Sequence, residues 1–348
     1  MKHHMIKKQA ENITESDIEA LEQFLVATCS DGTMTDKLDL RKYFVIIALT
    51  ILTSSQALLI TWSKRAGNYK HNATTMNFLV EALKCVLSLV ALLKIWRSHG
   101  ITHDNTLRTS FDEVSVYSIP AALYYIKNLL QYSIFAYVDA QSYRILKNLN
   151  IISTGVLYCL ILKRKLTERQ WVTFIMLFLW YTGTHLLDTS FGRPIPLQGW
   201  VLTIVIALLS GFTGVYIEAI LKKHPSRNIN VQNFWLSIFG LIFNLVAIFD
   251  KDFDDVISKG FFHGYSFITV CMILNHALSG IVVSMVLKYA DNIVKVFSTC
   301  VGMILGVIVS KFLFGLNLDF YFLLFFPFVL MTVPIYIAGD WECCNPPV

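Results

Sequence analysis

Ten stretches of about 20 mostly apolar residues follow one another between Tyr43 and Ala338, and no other feature constrains the fold of this chain as much. They lie near 43–63, 74–96, 114–137, 141–162, 169–188, 197–221, 230–249, 265–287, 292–314 and 318–338. A helix rises 1.5 Å per residue, so each stretch matches a hydrocarbon layer of about 30 Å. Lipid offers the backbone no hydrogen-bond partners, which leaves the α-helix as the element for such segments. Apolar residues make up 55% of the chain and charged ones 15%. A soluble domain carries about 25% charged residues and would need far more polar surface. The expected fold is therefore an all-α membrane protein of ten transmembrane helices. Asp139 is positioned to N-cap the fourth helix and Asp291 the ninth.

The polar flanks set the domain organisation and the orientation. Residues 1–42 read as a polar tail, 43–338 as the membrane domain and 339–348 as a short second tail. The start, MKHHMIKKQAENITESD, lacks the apolar core of a secretory signal. Seventeen Lys and Arg residues fall in the first tail and the even-numbered loops, against seven in the odd-numbered loops. Positive residues stay on the cytosolic side, so both termini are expected there. The seven cysteines are scattered, several within apolar runs, and fit neither a disulfide framework nor a zinc site. No metal and no cofactor is expected. HExxH, GxSxG and paired-carboxylate signatures are missing from the spans, which argues against an enzyme.

Five cations remain inside the spans: Lys84, Lys127, Arg144, Lys147 and Lys295. The acids available to them are Glu81 and, near a helix end, Glu218. An ion at the bilayer centre costs about 2.5–3.5 kcal/mol on the insertion scale, so each implies a partner or a wet cavity. Glu81 and Lys84 stand three residues apart on one face and can pair. The cations left over imply a cavity that holds an anion. Arg144 and Lys295 are near enough to helix ends to snorkel, whereas Lys127 and Lys147 lie deeper.

The two halves resemble each other. Residues 76–93 overlay on 232–249, led by Asn77-Phe78 on Asn233-Phe234, and Ser153-Thr154 overlays on Ser298-Thr299. Five spans per half is an odd number, so the second half enters the membrane from the opposite side. Repeats near 43–188 and 197–338 then form the inverted pair that places a carrier's site at the midplane. Gly211, Gly214 and Gly280 supply small faces on which helices can approach.

Six segments, in this order, carry a resemblance to a known family: ILTSSQALL (51–59), NFLVEALK (77–84), NLNIISTGVLYCLILKRKLTERQW (148–171), SGFTGVYIEAILKK (210–223), GFFHGYS (260–266) and LKYADNIVKVFST (287–299). The chain resembles nucleotide-sugar transporters of the CMP-sialic acid/UDP-galactose type over about residues 43–338. That resemblance implies the drug/metabolite transporter fold. It also implies exchange of a nucleotide sugar for a nucleoside monophosphate across the Golgi or ER membrane, without nucleic acid. A homodimer, or association with Golgi glycosyltransferases, is compatible with it.

The resemblance carries binding roles onto Tyr124 and Asn128 of the third span, Tyr143 of the fourth, Asn233 of the seventh, Ser284 of the eighth and Lys295 of the ninth. The sequence departs from the family pattern at two positions. Asn150 stands in the fourth span where the family commonly has Lys, and Ser237 in the seventh where it has Tyr. Lys147, one turn from Asn150, is the candidate to replace that lysine. The departures keep two other readings open, a transport-inactive scaffold or regulator and a carrier of a different organic anion.

Chemistry supports these roles and also offers plainer ones. Tyr faces stack on a base for about 1–3 kcal/mol. Asn128 and Asn233 can read a base edge or ribose hydroxyls, or simply bond neighbouring helices. Lys295, one turn after Asp291, stands near a helix N-terminus, where the dipole and free N–H groups favour a phosphate.

Overall fold

The computed structural model describes residues 32–65, 72–108, 111–134, 137–138, 149–162 and 196–314, with further positions between 166 and 179. Among these residues there is no strand. The helices are α1 (Gly32–Arg65), α2 (Ala73–His99), α3 (Phe111–Ser115), α4 (Ser118–Ile134), α5 (Leu149–Leu162), α6 (Leu197–Lys223) and α7 (Ile229–Ala247). A π-helical turn, Ile248–Asp252, leads to α8 (Phe253–Lys259), followed by α9 (Phe267–Tyr289) and α10 (Asn292–Phe314). The chain divides into a short unit, Met1–Val45, and a large one, Ile46–Val348, which holds every contact described below.

Five described segments are long and apolar enough to cross a bilayer: Arg41–Ile60, Leu197–Lys223, Ile229–Lys259, Phe267–Tyr289 and Asn292–Ser310. Their outer faces are strongly apolar. Val201, Val205 and Leu208 on α6, Ile242, Leu245 and Val246 on α7 and Phe249 in the π-helical turn are all exposed. Surface of this kind is costly in water and suits lipid.

Three boundaries differ from the sequence reading, each for a local reason. α1 starts at Gly32 rather than near Tyr43, because Met, Leu, Lys and Arg in GTMTDKLDLRK are good helix formers although the segment as a whole is polar. The expected 114–137 span is interrupted at Val116–Tyr117, between α3 and α4. Pro120 explains the break: it lacks an N–H, and its ring would clash with the carbonyl of Val116 in a continuous helix. The span expected to end at 249 runs on helically to Lys259. There Lys259 Nζ bonds Asp255 Oδ1 at 2.7 Å, one turn apart, and Gly260 at φ 90° ends the helix. Most of the expected spans at 169–188 and 318–338, the first part of that at 141–162, and the Asp139 cap lie outside the described residues.

Three helix starts are fixed by side chains. Ser266 and Thr269 form a reciprocal capping box at α9. Asn228 accepts from the Asn230 N–H at α7, and Asp291 Oδ1 accepts from the Val294 N–H at 2.7 Å at α10.

The helices interleave. α7 packs along α2 and α4, α6 along α5 and α4, and α9 along α2. Met76, Met272 and Ile273 join α2 to α9 in one apolar cluster, with Leu59 and Ile60 of α1 against it. Ile217, Leu221 and Leu287, with Leu236 and Val283, join α6, α7 and α9 in another. The closest approaches use glycine. A Cβ on Gly302 of α10 would lie 2.7 Å from the Thr50 carbonyl and from Thr53 Cβ, and one on Gly306 would lie 2.7 Å from Ala57 Cβ. Gly302 and Gly306 form a GxxxG pattern that brings α10 onto the backbone of α1.

Candidate functional site

Between these helices lies a cavity of about 500 Å³. α2 contributes Asn77, Glu81 and Lys84, and α4 contributes Tyr124, Tyr125, Lys127 and Asn128. α7 brings Gly240, Phe243 and Asn244; α9 brings His276, Gly280 and Ser284; α10 brings Lys295. The spacing of three and four residues within each set is what aligns side chains on one helical face. The site is therefore assembled from distant parts of the chain, each presenting one stripe.

Its charge is lopsided. Lys84, Lys127 and Lys295 face Glu81 as the one carboxylate among the lining residues, and that carboxylate is already paired. Lys84 Nζ lies 2.9 Å from both oxygens of Glu81. Both side chains are held against glycines of other helices. A Cβ on Gly240 would lie 2.9 Å from Glu81 Cδ, and one on Gly280 would lie 3.1 Å from Lys84 Cδ and Cε. The pair thus pins α2 to α7 and α9 at the wall of the cavity. Lys127 Nζ sits 4.9 Å from the centre of the Tyr124 ring, within cation–π range. Among the described residues, Lys295 Nζ has no salt-bridge or hydrogen-bond partner. Among the lining residues, lysines outnumber carboxylates three to one.

The expected site residues are distributed unevenly. Tyr124, Asn128, Ser284, Lys295, Glu81 and Lys84 share the cavity. Asn233 is not among its lining residues. It is buried on α7, on the same face as Ser237, Gly240 and Asn244 and beyond the cavity's edge. Asn233 Nδ2 and Ser237 Oγ have no hydrogen-bond partner among the described residues. Asn150 opens α5 outside the lining, where its Oδ1 lies 3.5 Å from Thr154 Oγ1. Tyr143 and Lys147 fall outside the described residues.

One expectation about Lys295 needs correcting. The first turn of α10 does not offer its N–H groups freely to a phosphate. The Asn292 N–H donates to Glu218 Oε2 at 2.9 Å, and the Val294 N–H donates to Asp291 Oδ1. The Lys295 N–H bonds the Asp291 carbonyl. Protein carboxylates have taken the positions that the helix dipole favours, so an anion here would be met by the Lys295 ammonium.

Lining residues that the sequence reading did not select are Asn77, Tyr125, Lys127, Asn244 and His276. Helical spacing could have found Asn77, one turn before Glu81, and Lys127 is one of the five cations within the spans. His276 carried no local signal. Its ring lies 3.3 Å from Gln56 Nε2 of α1, a tertiary contact.

One end of the bundle is closed by polar contacts beyond the Ile217–Leu287 cluster. Arg227 Nη1 donates to the His103 carbonyl at 2.8 Å, and the Asn228 N–H to the Asp104 carbonyl at 2.9 Å. Lys288 Nζ donates to the Arg227 carbonyl and, at 3.2 Å, to Gln232 Oε1. At the other end, Thr74 donates to Asp252, and Tyr265 donates to Thr75 at 3.0 Å.

Fold and site together define a class: a polytopic helical membrane protein with a lysine-rich central cavity. Comparison with known proteins narrows this to a family. The family model described as nucleotide-sugar transporter matches residues 37–337, and the chain belongs to that family. It is 62% identical over 325 residues to "CMP-sialic acid transporter 2" of Oryza sativa subsp. indica, covering 93% of this chain and 90% of that one. It is 58% identical to "CMP-sialic acid transporter 4" of Arabidopsis thaliana, covering 97% and 99%. To the "UDP-galactose translocator" of Mus musculus it is 32% identical, covering 85% and 78%. A solved crystal structure superposes with a TM-score of 0.62 at 10% identity, over 85% of this chain and 96% of that one, a likeness in fold alone.

Proposed function

We propose that the protein carries a nucleotide sugar, CMP- or UDP-linked, into the Golgi or ER lumen in exchange for the returning nucleoside monophosphate. The observation that carries this reading is the central cavity itself, with three lysines against one already paired carboxylate. Its volume of about 500 Å³ falls in the range of small-molecule sites, about 300–1,000 Å³. Lys295, with Lys84 and Lys127 near it, meets the phosphate. Tyr124 and Tyr125 offer faces for a base, and Asn128 and Ser284 supply hydrogen bonds. Asn233 Nδ2 and Ser237 Oγ are buried donors that a base edge entering between α2 and α7 would satisfy, which removes about 1–3 kcal/mol of desolvation penalty each. Tyr143, Lys147 and Asn150 complete the expected set on the fourth span.

Ten helices in two inverted repeats, with both ends cytosolic, make alternating access by rocking the natural mechanism. Two contacts support this arrangement. The repeat-related pair α2 and α7 pack on each other, and so do α5 and α10, as helices beside a two-fold axis do. The polar closures at the two ends of the bundle are the contacts that would open in turn.

The test is uptake into proteoliposomes of a panel of labelled nucleotide sugars, with CMP, UMP or GMP inside. Saturable uptake that is stimulated by one internal monophosphate is expected. No uptake, together with no nucleotide-induced thermal shift, would refute transport and favour a scaffold. Uptake of an organic anion without a nucleotide would favour the other-substrate reading.

A further inference from the structure

Lys295 sits in the first turn of α10, and what fixes that turn in space lies on another helix. Asp291 caps the turn locally. A local cap shapes the turn but cannot set its height or rotation relative to the cavity. Besides the α1 contacts farther along α10, two residues on one face of α6, a single turn apart, hold the turn itself. At Gly214 the side chain of Asn292 packs so closely that a Cβ would lie 2.9 Å from its Oδ1 and Nδ2. At Glu218, fully buried, Oε2 accepts from the Asn292 backbone N–H at 2.9 Å. Asn292, the first residue of α10, is thus seated at two points, its carboxamide over Gly214 and its amide on Glu218.

The chemistry suits a tether. A carboxylate accepting from a helix N-terminal N–H forms a charge-assisted bond and lies along the favourable end of the dipole. The other oxygen of Glu218 is bonded by Lys222 Nζ at 2.7 Å. Lys222 therefore offsets the buried charge of Glu218. Gly214 lines the cavity beside Ile217, so α6 ties the wall and the α10 turn together.

We propose that Glu218 is a positioning residue for phosphate recognition: with Gly214 it seats the start of α10 on α6 and so holds the Lys295 ammonium in the cavity. This rests on the reading of Lys295 as the phosphate contact. A shift of the α10 turn would move the ammonium off the phosphate while leaving the base contacts on α4 in place. The signature is therefore selective for the phosphate, which a general loss of stability would not be.

The test uses the full chain in detergent and the dissociation constants of CMP and cytidine, UMP and uridine, and GMP and guanosine. Glu218→Leu removes the acceptor but fills the buried space. It is expected to weaken the best-bound monophosphate about tenfold and its nucleoside less than about twofold. Glu218→Gln keeps an amide oxygen for the Asn292 N–H and should recover affinity to within about threefold. Glu218→Leu should cost nothing further on top of Lys295→Ala, because both act through one ammonium. Gly214→Ala, which drives a methyl into Asn292, should reproduce the phosphate-selective loss even where Glu218→Leu fails to fold. Equal weakening of nucleotide and nucleoside in these variants overturns the proposal, as does full additivity with Lys295→Ala. If Lys295→Ala weakens the nucleotide but Glu218→Leu does not, positioning alone is wrong. If Lys295→Ala has no effect on nucleotide affinity, the phosphate assignment falls and the proposal with it.

Discussion

Gly302→Ala and Gly280→Ala make the same chemical change in two apolar helices, yet the structure predicts different outcomes. The new Cβ at Gly302 would sit 2.7 Å from a backbone carbonyl oxygen, that of Thr50, and from the β-carbon of Thr53. Carbon atoms in contact prefer about 3.5–4.0 Å, so α10 must retreat from α1 by roughly 1 Å. Neither obstacle can swing aside, because one is backbone and the other is fixed to it. The cost is expected at the upper end of the roughly 1–3 kcal/mol typical of overpacking. At Gly280 the methyl would meet Lys84 Cδ and Cε at 3.1 Å, near the end of a flexible chain. Lys84 can shift its torsions off their minima for about 0.5–1.5 kcal/mol. Both substitutions gain the same helix propensity, so the difference between them isolates the contact. In a thermal melt of the purified protein, Gly302→Ala should have a clearly lower midpoint than Gly280→Ala. The latter should melt close to the wild type, because the Lys84 chain can yield by a few tenths of an ångström while keeping its bond to Glu81. Equal midpoints, or a wild-type midpoint for Gly302→Ala, would refute this account of the α1–α10 contact.

Other consequences follow from the same geometry. Glu81→Gln leaves Lys84 without its anion at the cavity wall and should cost about 1.5–3 kcal/mol of stability, read as a lower melting midpoint. A nucleotide should restore part of that loss, and a nucleoside should not. Lys127→Met keeps the Tyr124 face while removing one cavity charge. It should weaken a nucleoside monophosphate about tenfold and spare the nucleoside, by equilibrium binding. Arg227→Ala removes the charged donor to the His103 carbonyl and should loosen the 100–108 loop by up to about 1.5–3 kcal/mol, seen as faster proteolysis there.

Much of the architecture was legible from composition and charge. Runs of about 20 apolar residues announce bilayer helices, because lipid leaves the backbone no alternative. The pairing of Glu81 with Lys84 followed from helical spacing alone, and the surplus of buried lysines announced the cavity. Breaks within helices were harder to see. Pro120 stops one helix and starts another, and reading it required deciding which side of the proline belonged to the span. The helical extension to Lys259 was hidden by its charges, which argue for a loop in hydropathy but form a one-turn ion pair in space. Tertiary contacts left the weakest trace. The role of Glu218 depends on an N–H that is 74 residues away along the chain, and no local pattern joins the two. His276 likewise enters the site through the fold. The Gly302–Gly306 pattern was present in the sequence as a GxxxG motif, and its meaning emerged only with the backbone of α1 beside it.

The central claim is that the lysine-rich cavity receives the phosphate of a nucleotide. A structure of the full chain determined with the nucleoside monophosphate it binds best tests this most directly. The account predicts a phosphate oxygen within hydrogen-bonding distance of Lys295 Nζ, about 2.7–3.2 Å, with the base among α2, α4 and α7. A nucleotide bound outside this cavity, or with its phosphate away from Lys295, would contradict it.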